Sequence, residues 1–247
     1  MQRTRTFLFV LVIALLGAAC GGGGDEAGTG TTIAPAPQPA APSTTIAATN
    51  PAIAAKATAA TLQKADFPPG FEPQVEEPGQ GLQIEQLWAD LTRCLGVDTG
   101  APPAGKATSP TFLRGLATQG RSTVEYTTES GAAAIATALA GPKAQACLDQ
   151  TFAADLNRSK PEGSTPGPVK VTARTVTAPN GQTTMAWRIN ASVNLGDLVV
   201  PLFSDFQVTV SGGTVIRMLF LNPGAEFPQD LEKSLVDKVH TRATPGP

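Results

Sequence analysis

The C-terminal part of the chain limits the fold more than any other segment, because strand patterns recur there between turn residues. Strands are predicted over residues 169–178, 183–195, 198–210 and 214–221. The turns between them contain Asn180-Gly181, Gly196-Asp197 and Gly212-Gly213, and Asn-Gly favours the primed turns that join antiparallel strands. The segment is therefore predicted to form an antiparallel meander in which neighbouring strands pair in sequence order.

Residues 183–195 indicate how that meander is oriented. Every second side chain is apolar, and these are Met185, Trp187, Ile189, Ala191, Val193 and Leu195. Polar side chains alternate with them and include Arg188, Asn190 and Asn194. Because successive side chains of a strand point to opposite faces, one face is predicted to be core and the other to be wet. Pro201 in the following strand predicts a bulge or an edge there.

Helices are predicted before and after this sheet. Residues 84–95 place five apolar side chains on one face of a helix, and these are Ile84, Leu87, Trp88, Leu91 and Leu95. Further helices are predicted over residues 131–140, from residue 142 onwards, and from residue 228 to residue 242. The pattern predicts an α+β fold, an antiparallel meander sheet with helices packed on one face and a C-terminal helix that closes the domain.

The N-terminus has the layout of a bacterial export signal. Residues 1–19 contain two arginines followed by an apolar run over residues 7–16, which is too short to span a bilayer. The small residues before Cys20 resemble the lipobox at which bacterial lipoproteins are acylated and cleaved. Cys20 is therefore predicted to carry a lipid that anchors the chain at the extracytoplasmic face of the cell membrane. An ordinary secreted or transmembrane N-terminus with an incidental cysteine is the alternative.

Residues 20–61 are rich in Gly, Ala, Thr and Pro and contain little that can bury apolar surface. Such a composition favours extended, unpacked conformations, so this segment is predicted to be a linker between the lipid and the folded part. One sensor-like α+β domain is predicted over residues 62–247.

The two remaining cysteines, Cys94 and Cys147, both adjoin apolar helix faces. In an oxidising compartment they are predicted to form a disulfide that joins two helices, with two free buried thiols as the alternative. No metal site is expected, because two distant sulfurs and one histidine provide too few soft ligands.

Charge and motifs argue against several classes of function. The chain has 18 Lys and Arg against 20 Asp and Glu, and no block of like charge, which disfavours nucleic-acid binding. The single histidine, His240, is expected at a solvated helix end and is a poor candidate for a catalytic base. There is no nucleophile elbow, Walker loop or zinc-protease motif, so neither an enzyme activity nor a cofactor is expected.

Five short segments carry a resemblance to a known group of proteins, and they are residues 66–71, 93–96, 109–112, 147–148 and 215–221. On these segments the chain resembles the extracytoplasmic sensor-type lipoproteins of high-G+C Gram-positive, mycobacterial-like bacteria. That group is similar to the extracellular sensor domain of a receptor Ser/Thr kinase. The resemblance implies an antiparallel sheet with packed helices and a cleft of unknown ligand.

The leading hypothesis is a non-enzymatic module that binds or senses a lipid or cell-wall component in an apolar cleft. The aromatic side chains predicted to line that cleft are Trp88, Phe112, Trp187 and Phe206, with core packing as the alternative for each. A second hypothesis is an adaptor that contacts another envelope protein through the sheet face with Arg188, Asn190 and Asn194. A hydrolase of envelope substrates is the third.

Overall fold

The fold is described here from a computed structural model. The structure describes residues 50–74, 84–98, 101–115, 118–160, 162–176 and 182–244. All the described residues belong to one compact unit. The predicted signal peptide, Cys20, residues 21–49 of the linker and the Asn180-Gly181 turn lie outside the described residues.

The described residues form five α-helices, a short 3-10 helix and nine strands, which confirms the α+β class. The α-helices are α1 (Pro51–Ala60), α2 (Ile84–Leu95), α3 (Glu129–Ala140), α4 (Ala144–Ser159) and α5 (Gln229–Ala243), and the 3-10 helix is Lys64–Asp66. The strands are β1 (Phe71–Gln74), β2 (Gly105–Thr108), β3 (Thr111–Arg114), β4 (Thr118–Tyr126), β5 (Thr165–Pro166), β6 (Lys170–Arg174), β7 (Thr183–Leu195), β8 (Leu198–Ser211) and β9 (Thr214–Pro223).

All strand pairs in this part of the chain are antiparallel, and β7, β8 and β9 form the predicted meander. The sheet order is β1-β3-β4-β9-β8-β7-β5, with β2 also paired to β4 and β6 to β7. The β7–β8 hairpin is the longest unit, since it is paired from Leu195 opposite Leu198 to Thr183 opposite Val210. Gly196 and Gly212 in the two tight turns have φ of +64° and +52°, a region that costs glycine little.

The sheet is covered on both faces. In β9, Val215 and Leu219 pack with α2, α3 and α4, whereas Ile216, Met218 and Phe220 pack with α5 and the end of α1. We call these two sides the α4 face and the α5 face. The prediction of helices on one face holds for α2, α3 and α4, and α5 closes the domain from the other side.

Helix α1 begins the folded part earlier than residue 62, so the last ten residues or so of the predicted linker are helical. Asn50 caps the helix by accepting a hydrogen bond from the backbone of Ala52 at 3.0 Å, and Pro51 fits the first turn. Ala57 and Ala60 are buried. The helix lies so close to β2 that a Cβ on Gly105 would be 2.6 Å from the side chain of Ile53.

A disulfide between Cys94 and Cys147 joins α2 to α4, as predicted. Their Cα atoms are 5.6 Å apart. The bond joins two of the three helices that cover the α4 face, and one of them, α4, forms a wall of an apolar cleft.

Candidate ligand-binding cleft

An apolar cleft of about 300 Å³ opens between α4 and the α4 face of the sheet. Its volume lies at the lower end of the range for small-molecule sites in proteins. The cleft sits where β7 and β8 extend toward their shared turn.

The floor of the cleft follows from strand alternation. Eight aliphatic side chains of β7, β8 and β9 form it, and they are Ile189, Ala191, Val193, Leu195, Val200, Leu202, Leu219 and Leu221. Those of β7 are the apolar set that the sequence predicts to face the core. Phe152 and Leu156, one turn apart on α4, and Val169 form the wall.

The helical cover of the floor is incomplete. Phe152, Ile189, Val193 and Leu219 are buried, but Ala191, Leu195, Leu202 and Leu156 remain partly exposed. An apolar ligand that covered these side chains would remove their apolar surface from water, and this would favour binding. The cleft is therefore suited to an apolar chain.

Polar groups also line the cleft, and they are Gln119, Asp155, Ser159, Lys160 and Ser204. Asp155 is only 4% exposed. Its carboxylate accepts a hydrogen bond from Arg158 at 3.2 Å, and Arg158 also donates to Asp90 of α2 at 2.9 Å. Burial raises the pKa of Asp155, and the hydrogen bond from Arg158 opposes that effect only in part. Lys160 is exposed. The cleft thus combines an apolar floor with a few hydrogen-bonding groups.

The four aromatic residues predicted to line a pocket all lie in the core instead. Trp88, Trp187 and Phe206 belong to the cluster beneath α2, α3 and α4, and Phe112 belongs to the cluster on the α5 face. Phe206 stacks on Trp187 with ring centroids 6.0 Å apart and meets the edge of Phe152 at 5.7 Å. It therefore supports the cleft wall without lining the cleft.

Sequence reasoning missed the aliphatic floor, although a signal for it existed. The apolar alternation continues along all thirteen residues of β7, and four of its apolar side chains lie in the floor. Large rings are the best fillers of a close-packed core, so they identify the core better than they identify a cavity.

The sheet face proposed for an adaptor carries a charged network. Arg188 donates to both oxygens of Asp205, at 2.9 Å and 3.1 Å, and Arg174 lies 2.8 Å from both Asp205 and Glu232. Asp205 and Glu232 are 1% and 2% exposed. Burial raises the pKa of Glu232, and the neighbouring Asp205 adds to the rise. The network ties α5 to β6, β7 and β8, so Arg188 is not a free surface cation; Asn190 and Asn194 are partly exposed.

His240 is buried, which corrects the expectation of a solvated helix end. Its side chain is 3% exposed on the inner side of α5, and burial lowers its pKa from 6.5 to about 4. Desolvation outweighs the attraction of a helix C-terminus for a positive charge. The imidazole is therefore neutral at pH 7.

Within the residues that the structure describes, no cluster of three or more His, Cys, Asp and Glu could hold a metal ion. The helices of that part are also too short or too polar to cross a bilayer. Comparison with protein-family models gives no match for the chain, and no curated protein is significantly similar to it.

Proposed function

We propose that this protein is a lipid-anchored envelope protein whose domain binds a single apolar chain, such as an acyl or isoprenoid chain of a membrane or cell-wall lipid. The observation that carries the proposal is the partly exposed aliphatic floor between α4 and the β7–β8 hairpin. An adaptor without a ligand would be expected to fill this space with its own side chains.

The size and chemistry of the cleft support one chain with a small polar end. A volume of about 300 Å³ is too small for a complete lipid with several chains, so the rest of the lipid would remain outside. Each methylene group that leaves water contributes about 0.8 kcal/mol. The side chains of Asp155, Ser159 and Lys160 can hydrogen-bond to the polar end.

The N-terminal sequence supports the location. A lipid on Cys20 would hold the domain at the extracytoplasmic face of the membrane, and the compartment outside the cytoplasm favours the disulfide that the fold contains. The ligand would then be drawn from lipids or cell-wall components of the envelope.

The test is binding of a dansylated medium-chain fatty acid to the mature polypeptide with Cys20→Ser, exported behind an ordinary secretory leader. Ala191 lies in the cleft floor, so Ala191→Trp should fill the cavity and weaken binding at least tenfold. Ala154 lies on the exposed side of α4, so Ala154→Trp should bind like the wild type. Absence of binding to the wild type, or equal binding by Ala191→Trp, would contradict the proposal.

Native mass spectrometry of the same polypeptide provides a second measurement. The polypeptide recovered after export through its native envelope, and purified without detergent, should carry a discrete added mass that a mild organic extraction removes. The Ala191→Trp variant should be purified without that mass.

A further inference from the structure

The turn between β7 and β8 presents apolar side chains to solvent. Leu198 and Val199 are 51% and 58% exposed, and they are the large hydrophobic side chains that stand out as exposed in the described part of the chain. We call residues 195–203 the hairpin tip. Apart from Gly196 and Asp197 in the turn, every residue of the hairpin tip is apolar.

In the hairpin tip, β8 is apolar on both of its faces, whereas β7 places the polar Asn194 and Ser192 beside Val199 and Pro201 on the face away from the cleft. Leu198, Val200 and Leu202 alternate along β8 on the side of the cleft, and Val200 and Leu202 belong to its lining. Val199, Pro201 and Phe203 occupy the opposite side, where Val199 and Pro201 are exposed. A cleft floor requires apolar side chains on only one face of β8. The apolar side chains on its other face therefore need a separate explanation.

We propose that the hairpin tip contacts a lipid bilayer and places the mouth of the cleft at the membrane surface. This inference rests on the proposed function. An exposed strand end with apolar side chains on both faces suits a medium that surrounds it, whereas a protein partner would normally cover one face. The apolar row from Leu198 through Val200 to Leu202 then offers a continuous path from the bilayer to the cleft floor.

The length of chain before the domain allows this contact. The hairpin tip lies at the end of the sheet opposite to Asn50, whose backbone N–H bonds to Ala104 next to the Tyr126 end of β4. The fourteen residues of β8 span about 45 Å. Residues 20–49, roughly 30 in number, can reach at most about 100 Å when fully extended. A lipid on Cys20 would therefore not prevent the hairpin tip from reaching a bilayer.

The experiment is vesicle flotation of the mature polypeptide with Cys20→Ser, so that the lipid anchor does not determine the result. The vesicles are pure phosphatidylcholine or phosphatidylcholine with phosphatidylglycerol. The protein with an intact hairpin tip should float with both kinds of vesicle. Combined Val199→Asp and Pro201→Asp, both on the face away from the cleft, should reduce the partition coefficient at least tenfold, because two apolar contacts are lost and two charges would enter the interface.

The matched control is the combination of Thr172→Asp and Ala173→Asp, which adds two carboxylates to exposed positions of β6. This control should float like the protein with an intact hairpin tip. Binding of the dissolved dansylated fatty acid should be unchanged in both double variants, which shows that the fold and the cleft are intact. Ala191→Trp should lose fatty-acid binding yet keep flotation, so failure of the proposed function is distinguishable from failure of this inference.

Three results would overturn the inference. They are no flotation of the protein with an intact hairpin tip, equal flotation of the hairpin-tip variant, and an equal loss in the control. A dimer that the hairpin-tip variant converts to a monomer, without flotation of either, would assign the hairpin tip to self-association instead.

Discussion

The guanidinium of Arg242 donates to both carboxylate oxygens of Asp66, at 2.8 Å and 2.7 Å. It also donates to the backbone carbonyl of Thr61 at 2.8 Å. Burial alone would raise the pKa of Asp66, but the hydrogen bonds from Arg242 and from the backbone of Gln63 hold it below its ordinary value. This ion pair joins the end of α5 to the segment that follows α1.

Loss of this pair should destabilise the domain measurably. Arg242→Met leaves a carboxylate that is mostly buried without its main partner, so we expect the free energy of unfolding to fall by about 2 kcal/mol. Urea titration at pH 7 measures this change. The control is Lys233→Met, which breaks the exposed pair with Asp237 on the same helix and should cost about 0.5 kcal/mol or less. Similar effects of the two substitutions would contradict the assignment.

His240 should make stability fall in weak acid. Its pKa is about 4 in the folded protein and near 6.5 in the unfolded chain, so the unfolded state binds the proton first as the pH falls. We expect His240 to contribute a loss of about 2 kcal/mol between pH 7 and pH 5. The raised pKa values of Asp155 and Glu232 favour the folded state as the pH falls and so oppose this loss. The free energy of unfolding is therefore measured against pH for the wild type and for His240→Gln, and the difference between the two profiles gives the contribution of His240. Parallel pH profiles would show that His240 is not responsible.

The Cys94–Cys147 disulfide should contribute strongly to stability. It joins residues 53 positions apart, which corresponds to about 4 kcal/mol in the chain-entropy description. Combined Cys94→Ala and Cys147→Ala should lower the free energy of unfolding by this order and weaken fatty-acid binding, since α4 would lose its covalent attachment to α2. Alkylation of the wild type without reductant should add no mass at these cysteines. Labelling of both would show that they are free thiols.

Arg217 provides the most severe predicted substitution. Its side chain is fully buried, 3.2 Å from Glu125 and 3.7 Å from Glu85, and its guanidinium lies 4.6 Å from the centre of the Trp88 ring. Arg217→Met should cost about 3–5 kcal/mol because Glu125 is left buried without its cation. Adding Glu125→Leu should recover part of that loss in chemical denaturation. A double variant less stable than the single one would contradict the explanation by unpaired charge.

The lipid anchor is tested at Cys20. If the sequence before it is a lipobox, Cys20→Ser in the otherwise intact precursor should block processing, and the uncleaved precursor should accumulate. The wild type should partition into detergent and carry the added mass of a diacylglycerol group. Unchanged processing and membrane retention of Cys20→Ser would refute the anchor.

The meander from β6 to β9 and four of the five helices could be predicted because periodic apolar residues and turn glycines coincide in those segments. The boundaries of β7 agree at both ends, since Leu195-Gly196-Asp197 leaves little choice of turn. Helix α1 could not be predicted in this way. Its alanines carry no amphipathic pattern, and its position depends on close packing at Gly105, a contact between segments about fifty residues apart in the sequence.

The cleft could be predicted only in outline. Alternation shows which side chains of β7 point to the α4 face, but it does not show how far along the strand the helices extend to cover them. Ile189 and Leu195 have the same sequence signature, although one is buried and the other is partly exposed. This difference in burial arises because α4 ends at Ser159 and does not cover the strand as far as Leu195. The position of a helix over a sheet is set by tertiary packing and cannot be read from the alternation.

The packing of α1 against α5 determines where external force enters the molecule. Both ends of the described chain lie near Tyr126, because Asn50 bonds to Ala104, Ala104 bonds to the backbone of Tyr126, and the Tyr126 hydroxyl donates to the carbonyl of Ala243. A pull transmitted through residues 20–49 would reach α1 first and would peel it from β2 and α5 before any strand of the β7–β8 hairpin felt tension. Mechanical strain on the tether would therefore be dissipated at the far end of the sheet from the cleft.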